Sequence, residues 1–217
     1  MLYSLKARFQ QLANSFAFSG MTANHASLLG WLFVFLSTAA LYSGFRNLNP
    51  ENIQTAWPLL AFPALVLFRL VFNALDGMIA RAQNRATPMG EVLNELGDIW
   101  GDTITYGSLF FIPYVNGLYL AIFIVCCWFA EFTGLLGRAL PGHIRRQESI
   151  LGGKPERSLW FCLFAICCFF RPMSAFYINH FIMALSVLTF LTGLFRIYKI
   201  KKQTQGLSYQ SHTLYGR

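Results

Sequence analysis

The chain has 217 residues, 55% of them hydrophobic and only 12% charged, with a formal net charge of +8. That charged share is about half the usual value for a soluble domain. The length suits one domain and leaves no room for a sizeable soluble domain beside a membrane bundle.

Taken in chain order, residues 1–19 lack a continuous apolar core, and no small-residue cleavage site follows a short one, so no cleavable signal is expected. The stretch from Leu2 to Leu12 reads as an amphipathic helix lying on a membrane surface; a short soluble cap helix fits it as well. Thr22-Ala23-Asn24 then gives a helix N-cap signal before the first apolar run. A membrane-crossing helix needs about 20 mostly apolar residues. Six segments qualify: Ser27–Ser43, Ala56–Ala80, Met89–Phe111, Gly117–Leu136, Leu159–Phe170 and Ala175–Phe195. The fifth is short. The predicted fold is an all-α integral membrane domain over 1–217, with an interfacial helix at 1–19, a six-helix bundle at 20–200 and a cytoplasmic tail at 201–217.

The basic residues fix a predicted orientation. Of 17 lysines and arginines, 14 fall before the first span or after the second, fourth and sixth. Only Arg46 and Arg171 fall in the other loops, and Arg69 lies inside the second span. The positive-inside rule then puts both termini in the cytoplasm. The basic loops would face anionic headgroups, so nucleic acid is an unneeded partner. The cysteines, Cys126, Cys127, Cys162, Cys167 and Cys168, sit in apolar segments with neither zinc-site nor CxxC spacing.

Acidic residues inside apolar helices are the main functional signal. Asp76, Glu91, Glu95, Asp98, Asp102 and Glu131 lie in or at the edge of predicted spans. A carboxylate in lipid is costly and marks a functional site by default. At about 100° per residue, Glu91, Asn94, Glu95, Asp98 and Asp102 share one stripe. Arg69, Asn73, Asp76 and Ala80 share a face of the preceding span. The short polar turn from Ala82 to Pro88 makes the two spans antiparallel neighbours. Facing oxygens from two such helices suit a hard cation such as Mg²⁺; a salt-bridge network with Arg69 and Arg81 as counter-ions suits the same residues. Gly77, Ala80, Gly90, Gly97 and Gly101 border the stripes and permit close approach of backbone or ligand.

These residues resemble the integral-membrane CDP-alcohol phosphotransferases, whose pattern is D-x2-D-G-x2-A-R-x8-G-x3-D-x3-D. Every spacing agrees between Asn73 and Asp98. Six of the eight fixed positions are identical: Asp76, Gly77, Ala80, Arg81, Gly90 and Asp98. The first and third aspartates of the pattern are Asn73 and Asn94 here, as in a bacterial branch of the family. The resemblance implies transfer of a phosphatidyl-type group from a CDP-linked lipid to an alcohol, with release of CMP, in a bacterial inner membrane. It implies two divalent cations, Mg²⁺ or Mn²⁺, with Asn73, Asp76 and Asn94 as ligands and Asp98 as general base or ligand. Donor binding would fall to Asp76, Gly77, Ala80, Arg81 and Gly90, with Thr22 and Asn24 as the counterpart of a T-P-N element. It also implies a homodimer.

The two asparagines remove two negative charges from such a site. Glu95 or Asp102, on the same stripe, would restore the balance as metal ligands; pairing of Asp102 with Arg69 is the rival expectation. Lys154 and Arg157, opening the fifth span, are candidates for an acceptor phosphate, or simply cytoplasmic-side charge. Glu131 needs a partner, for which Arg138 or Lys154 are candidates, or else lines the polar cavity. His25, His143, His180 and His212 share no spacing and receive no role.

Overall fold

The computed structural model describes residues 2–139 and 152–204. Arg145, Arg146 and His143, and the tail from 205 onward with His212 and Arg217, lie outside the described residues. Among those described there are seven α-helices and no strand: α1 (Leu2–Phe18), α2 (Ala23–Arg46), α3 (Pro58–Ala82), α4 (Pro88–Gly107), α5 (Gly117–Ala139), α6 (Lys154–Phe170) and α7 (Ala175–Thr204). Single 3₁₀ turns precede α3 (Ile53–Ala56) and extend α4 (Ser108–Phe111).

Local chemistry accounts for the helix ends. Thr22 caps α2: its hydroxyl accepts from the His25 amide, and its own amide donates to His25 Nδ1, a reciprocal box. His25 thus has a capping role that sequence spacing did not suggest. Thr87 caps α4 by accepting from the Gly90 amide, with Pro88 at the first helical position. The turn between α3 and α4 contains Asn84 at φ 53°, a left-handed conformation that asparagine tolerates better than most residues. Gln83 Nε2 ties this turn to the Met21 carbonyl at 2.9 Å.

Four helical segments are long and apolar enough to cross a membrane: Ala23–Arg46, Ile53–Ala82, Gly117–Gly137 and Ala175–Lys202. The other two expected spans fall short for separate reasons. The helix α4 carries Glu91, Glu95, Asp98 and Asp102 in 20 residues. The helix α6 has 17 residues, about 25 Å of rise, against about 30 Å of hydrocarbon. It begins five residues before the expected Leu159 boundary, taking in Lys154 and Arg157.

Packing is most extensive between α2 and α3 and between α5 and α7, while α2 also lies against α4, and α6 against α3. The larger core cluster joins Leu41, Phe45, Phe62, Tyr106, Phe123 and Phe161 with their neighbours. Its aromatic stack runs from Tyr106 to Phe161 (4.4 Å between centroids) and from Phe164 to Phe181 (3.9 Å). Large apolar side chains such as Leu28, Phe35, Leu67, Val125, Phe132 and Val187 point outward. In water such a belt would be a liability; facing lipid it is what an integral membrane protein requires. Ala13 of α1 is fully buried against Ala26, Leu75 and Ile79, so α1 is docked on α3 along at least one face.

Candidate active site

The two halves of the sequence motif meet across α3 and α4. Asn73 Nδ2 donates to Asp98 Oδ1 at 2.7 Å. One turn deeper, Arg69 on α3 donates to Asp102 Oδ1 at 2.8 Å and reaches the Asp98 carbonyl at 3.4 Å. The polar stripes do face each other, as the helical spacing predicts. Two glycines make the approach possible. A Cβ at Gly101 would sit 2.6 Å from an Arg69 guanidinium nitrogen, and one at Gly30 of α2 would collide with Asn73 Oδ1.

Asp76 is buried one turn from Asn73. Its Oδ2 accepts from Ser27 Oγ of α2 at 2.9 Å and its Oδ1 from the Gly77 amide at 2.5 Å. Asp76 and Asp98 lie close enough to feel each other's charge, and Arg81 acts on Asp76 from the end of α3. Arg81 itself is exposed, with its guanidinium near Gly77. On α4, Asn94 and Glu95 are half-buried and Glu91 is exposed. Thr22 is half-buried and Asn24 exposed in the first turn of α2, on the helix that also supplies Ser27. Ala80 is half-buried one turn beyond Asp76, and Gly90 is exposed at the start of α4.

The remaining contacts come from α6. Lys154, its first residue, forms an ion pair with Asp98 Oδ1, its side chain only 12% exposed. Arg157 is completely buried. Its Nη2 donates to Asp102 Oδ2 at 3.3 Å and to Glu131 Oε1 at 3.0 Å, and its Nη1 to the Gly152 carbonyl at 3.1 Å. Four helices, α3 to α6, are thereby joined through Asp102 and Arg157.

This geometry revises three expectations. Both oxygens of Asp102 face guanidinium groups, so the Arg69 pairing is present and Asp102 is not turned toward Asp76 and Asp98. Glu131 pairs with Arg157, and the side chain of Arg138, one of its two expected partners, lies outside the described residues. Arg157 is enclosed by carboxylates rather than open to an acceptor phosphate. Among the described residues no three His, Cys, Asp or Glu side chains converge as a ready metal cluster. Ser27, Gly30 and the Lys154–Asp98 pair carried no sequence signal: their partners lie 43 to 56 positions away, on helices whose relative rotation only packing sets.

The model for CDP-alcohol phosphatidyltransferase matches residues 20–192, a span that contains every one of these residues. The chain belongs to the CDP-alcohol phosphatidyltransferase family. It is 31% identical over 175 residues to the inner membrane protein YnbA of Escherichia coli K12, covering 79% of this chain and 82% of that one. It is 32% identical over 91 residues to choline/ethanolaminephosphotransferase 2 of Arabidopsis thaliana, covering 41% of this chain and 23% of that one. Its fold is similar to the phosphatidylinositol phosphate synthase of Mycobacterium tuberculosis. The crystal structure of that synthase with manganese and citrate gives a TM-score of 0.62 at 19% identity, covering 89% of this chain and 88% of that one. The structure with CDP-DAG bound gives 0.57 at 21%, covering 88% and 92%. This family of transferases serves phospholipid biosynthesis, and the apolar helices make this member an integral membrane protein.

Removing one partner from a buried, hydrogen-bonded ion network costs roughly 3–5 kcal/mol. Asp102→Asn is therefore expected to lower the thermal unfolding temperature of the detergent-solubilised protein markedly. Adding Arg69→Gln should recover part of the loss, because the stranded guanidinium is then gone. No recovery in the double variant would mean that Arg69 is not the partner whose loss matters.

Proposed function

We propose that the chain transfers a phosphatidyl-type group from a CDP-linked lipid, CDP-diacylglycerol by preference, to an alcohol, releasing CMP. The observation that carries this reading is the junction of Asn73 with Asp98, which assembles both ends of the family motif into one polar site. The CDP-DAG held by the structural neighbour supports the donor class.

A divalent cation belongs to this reading, since the neighbouring synthase was crystallised with manganese. The donor set fits one such ion. Each oxygen of Asp76 accepts a single hydrogen bond and so retains a lone pair. Asp98 Oδ1 is engaged by Asn73 and Lys154, which leaves Oδ2 for a ligand. Asp76, Asp98 and the neighbouring amide of Asn94 would hold the ion together with phosphate oxygens of the donor. Bound there, it would neutralise the pyrophosphate and the departing CMP.

The chain's own residues do the rest in this account. Arg81, at the exposed end of α3, offers a forked set of donors to the pyrophosphate. Gly77 and Ala80 leave space beside α3 for the nucleotide. Asp98 receives the proton of the acceptor hydroxyl at the lone pair of Oδ2 that the ion leaves free, while the hydroxyl oxygen bonds to phosphorus and the bond from phosphorus to CMP breaks. Ser27 holds Asp76 in orientation, a role that any displacement of the carboxylate would disturb.

We infer further that α4 and α6 pass through the membrane with the other four helices, so that six spans leave both termini and the site on the cytoplasmic side. The basic residues in the last turns of α3 and α7, Arg81, Lys201 and Lys202, support this orientation. In a chain with its native cysteines replaced, Arg46→Cys and Arg171→Cys should react with a membrane-impermeant maleimide only from the outer side. Labelling of either from the cytoplasm would overturn the topology.

The activity is tested by incubating purified protein with CDP-diacylglycerol, Mg²⁺ and a panel of alcohols, phosphorylated acceptors included, and measuring CMP. Release with at least one acceptor is expected, falling at least 100-fold in Asp98→Asn, in keeping with loss of a general base. No release with any acceptor would favour a non-catalytic protein of this fold that binds CDP-lipid.

A further inference from the structure

Lys154 stands where helix electrostatics disfavours it. It is the first residue of α6, and the N-terminus of a helix carries about half a positive charge, so a lysine there is opposed rather than helped. A lysine required only for membrane orientation would extend its ammonium into water. Lys154 instead turns inward to Asp98, on a helix that does not extensively pack against its own, with most of its side chain covered.

Its position is also tightly held. Gly153 caps α6 and Pro155 follows, a pairing that pre-sets the backbone at the helix entry. Arg157, one turn on, anchors the same end through Asp102, Glu131 and the Gly152 carbonyl. The ammonium is therefore delivered to Asp98 by a fixed scaffold rather than by a free side chain.

The facing helix is adapted to it. Asn73 presents an amide nitrogen to Asp98 Oδ1, the same oxygen that Lys154 pairs with. One carboxylate oxygen has about two lone-pair directions, and both are filled. A carboxylate at 73 would repel Asp98 and call for a further positive charge between them; the neutral amide does not. With neutral amides at 73 and 94 and a fixed ammonium on Asp98, the site needs less cationic charge than two divalent ions would bring. A second divalent ion at this oxygen would meet the lysine within a few ångströms, a repulsion that low dielectric amplifies.

We propose that Lys154 is a resident cation that takes the place of one of two divalent ions, so that this chain binds no more than one. The proposal deepens the transferase reading given above, yet concerns ion stoichiometry, which can be measured without turnover.

The experiment titrates Mn²⁺ into the full-length protein in detergent and follows free Mn²⁺ by electron paramagnetic resonance. Asp76→Asn combined with Asp98→Asn supplies the background from other sites. Above that background the wild-type chain is expected to bind no more than one equivalent. The Asn73→Asp Lys154→Met variant, checked for a wild-type-like unfolding transition, should bind one equivalent more. Lys154→Met alone tests the same point if the double variant does not fold: its affinity for Mn²⁺ should rise about tenfold. Two equivalents bound by the wild-type chain, or no gain in either variant that folds, overturns the proposal. CMP release is assayed in parallel. Release alongside two equivalents would retain the transferase reading and remove the lysine substitution. One equivalent without release from any acceptor would do the reverse.

Discussion

Carboxylates held among apolar helices must be matched by positive charge or hydrogen-bond donors, and this constraint organises the whole middle of the molecule. Asp102 and Glu131 are buried at 4% and 6% exposure, where an uncompensated charge would cost several kcal/mol. Arg157 satisfies both, and Arg69 adds a second guanidinium to Asp102. Four helices that also share the apolar cluster around Phe62, Tyr106, Phe123 and Phe161 are thereby drawn to one polar point. The network does not by itself argue for high stability, since well-packed apolar residues often do as well. It fixes which helix faces which, and so where Asp98 and Asp76 stand.

Above this buried layer the same logic acts on the candidate site. Asp76 is held by neutral donors, a serine hydroxyl and a backbone amide. Asp98 is held by an amide and an ammonium. The first keeps lone pairs for a cation and the second keeps one oxygen. Arg81 stays at the exposed end of α3, where a pyrophosphate would approach. The division between a deep structural network and a shallower reactive one follows from helical spacing. Asp98 and Asp102 are one turn apart, as are Arg69 and Asn73, so each turn forms its own bridge.

Much of this was legible in the sequence because it is local. The capping threonine at 22, the 3.6-residue stripes and the motif from Asn73 to Asp98 are all read within short windows. The rival reading of Asp102, as the partner of Arg69, was also available from spacing alone. The contributions of α2 and α6 were not. Ser27 is an ordinary serine in an apolar run, and Lys154 and Arg157 look like loop charge until α6 is seen to start at Lys154. Their roles depend on contacts 26 to 56 residues away in sequence, which periodicity cannot register. The number of apolar spans differed for a related reason: α4 trades apolarity for the acids that the site uses, and α6 begins with charged residues that reach inward.

The account rests on Lys154 and Asp98 being an energetically coupled pair that closes the site from α6. A double-mutant cycle with Lys154→Met and Asp98→Asn, read as unfolding free energy in detergent, isolates that pair from its surroundings. The account predicts a coupling of about 0.5–3 kcal/mol, the range for residues in direct contact within one network. Additive effects, with no coupling beyond about 0.3–0.5 kcal/mol, would contradict it.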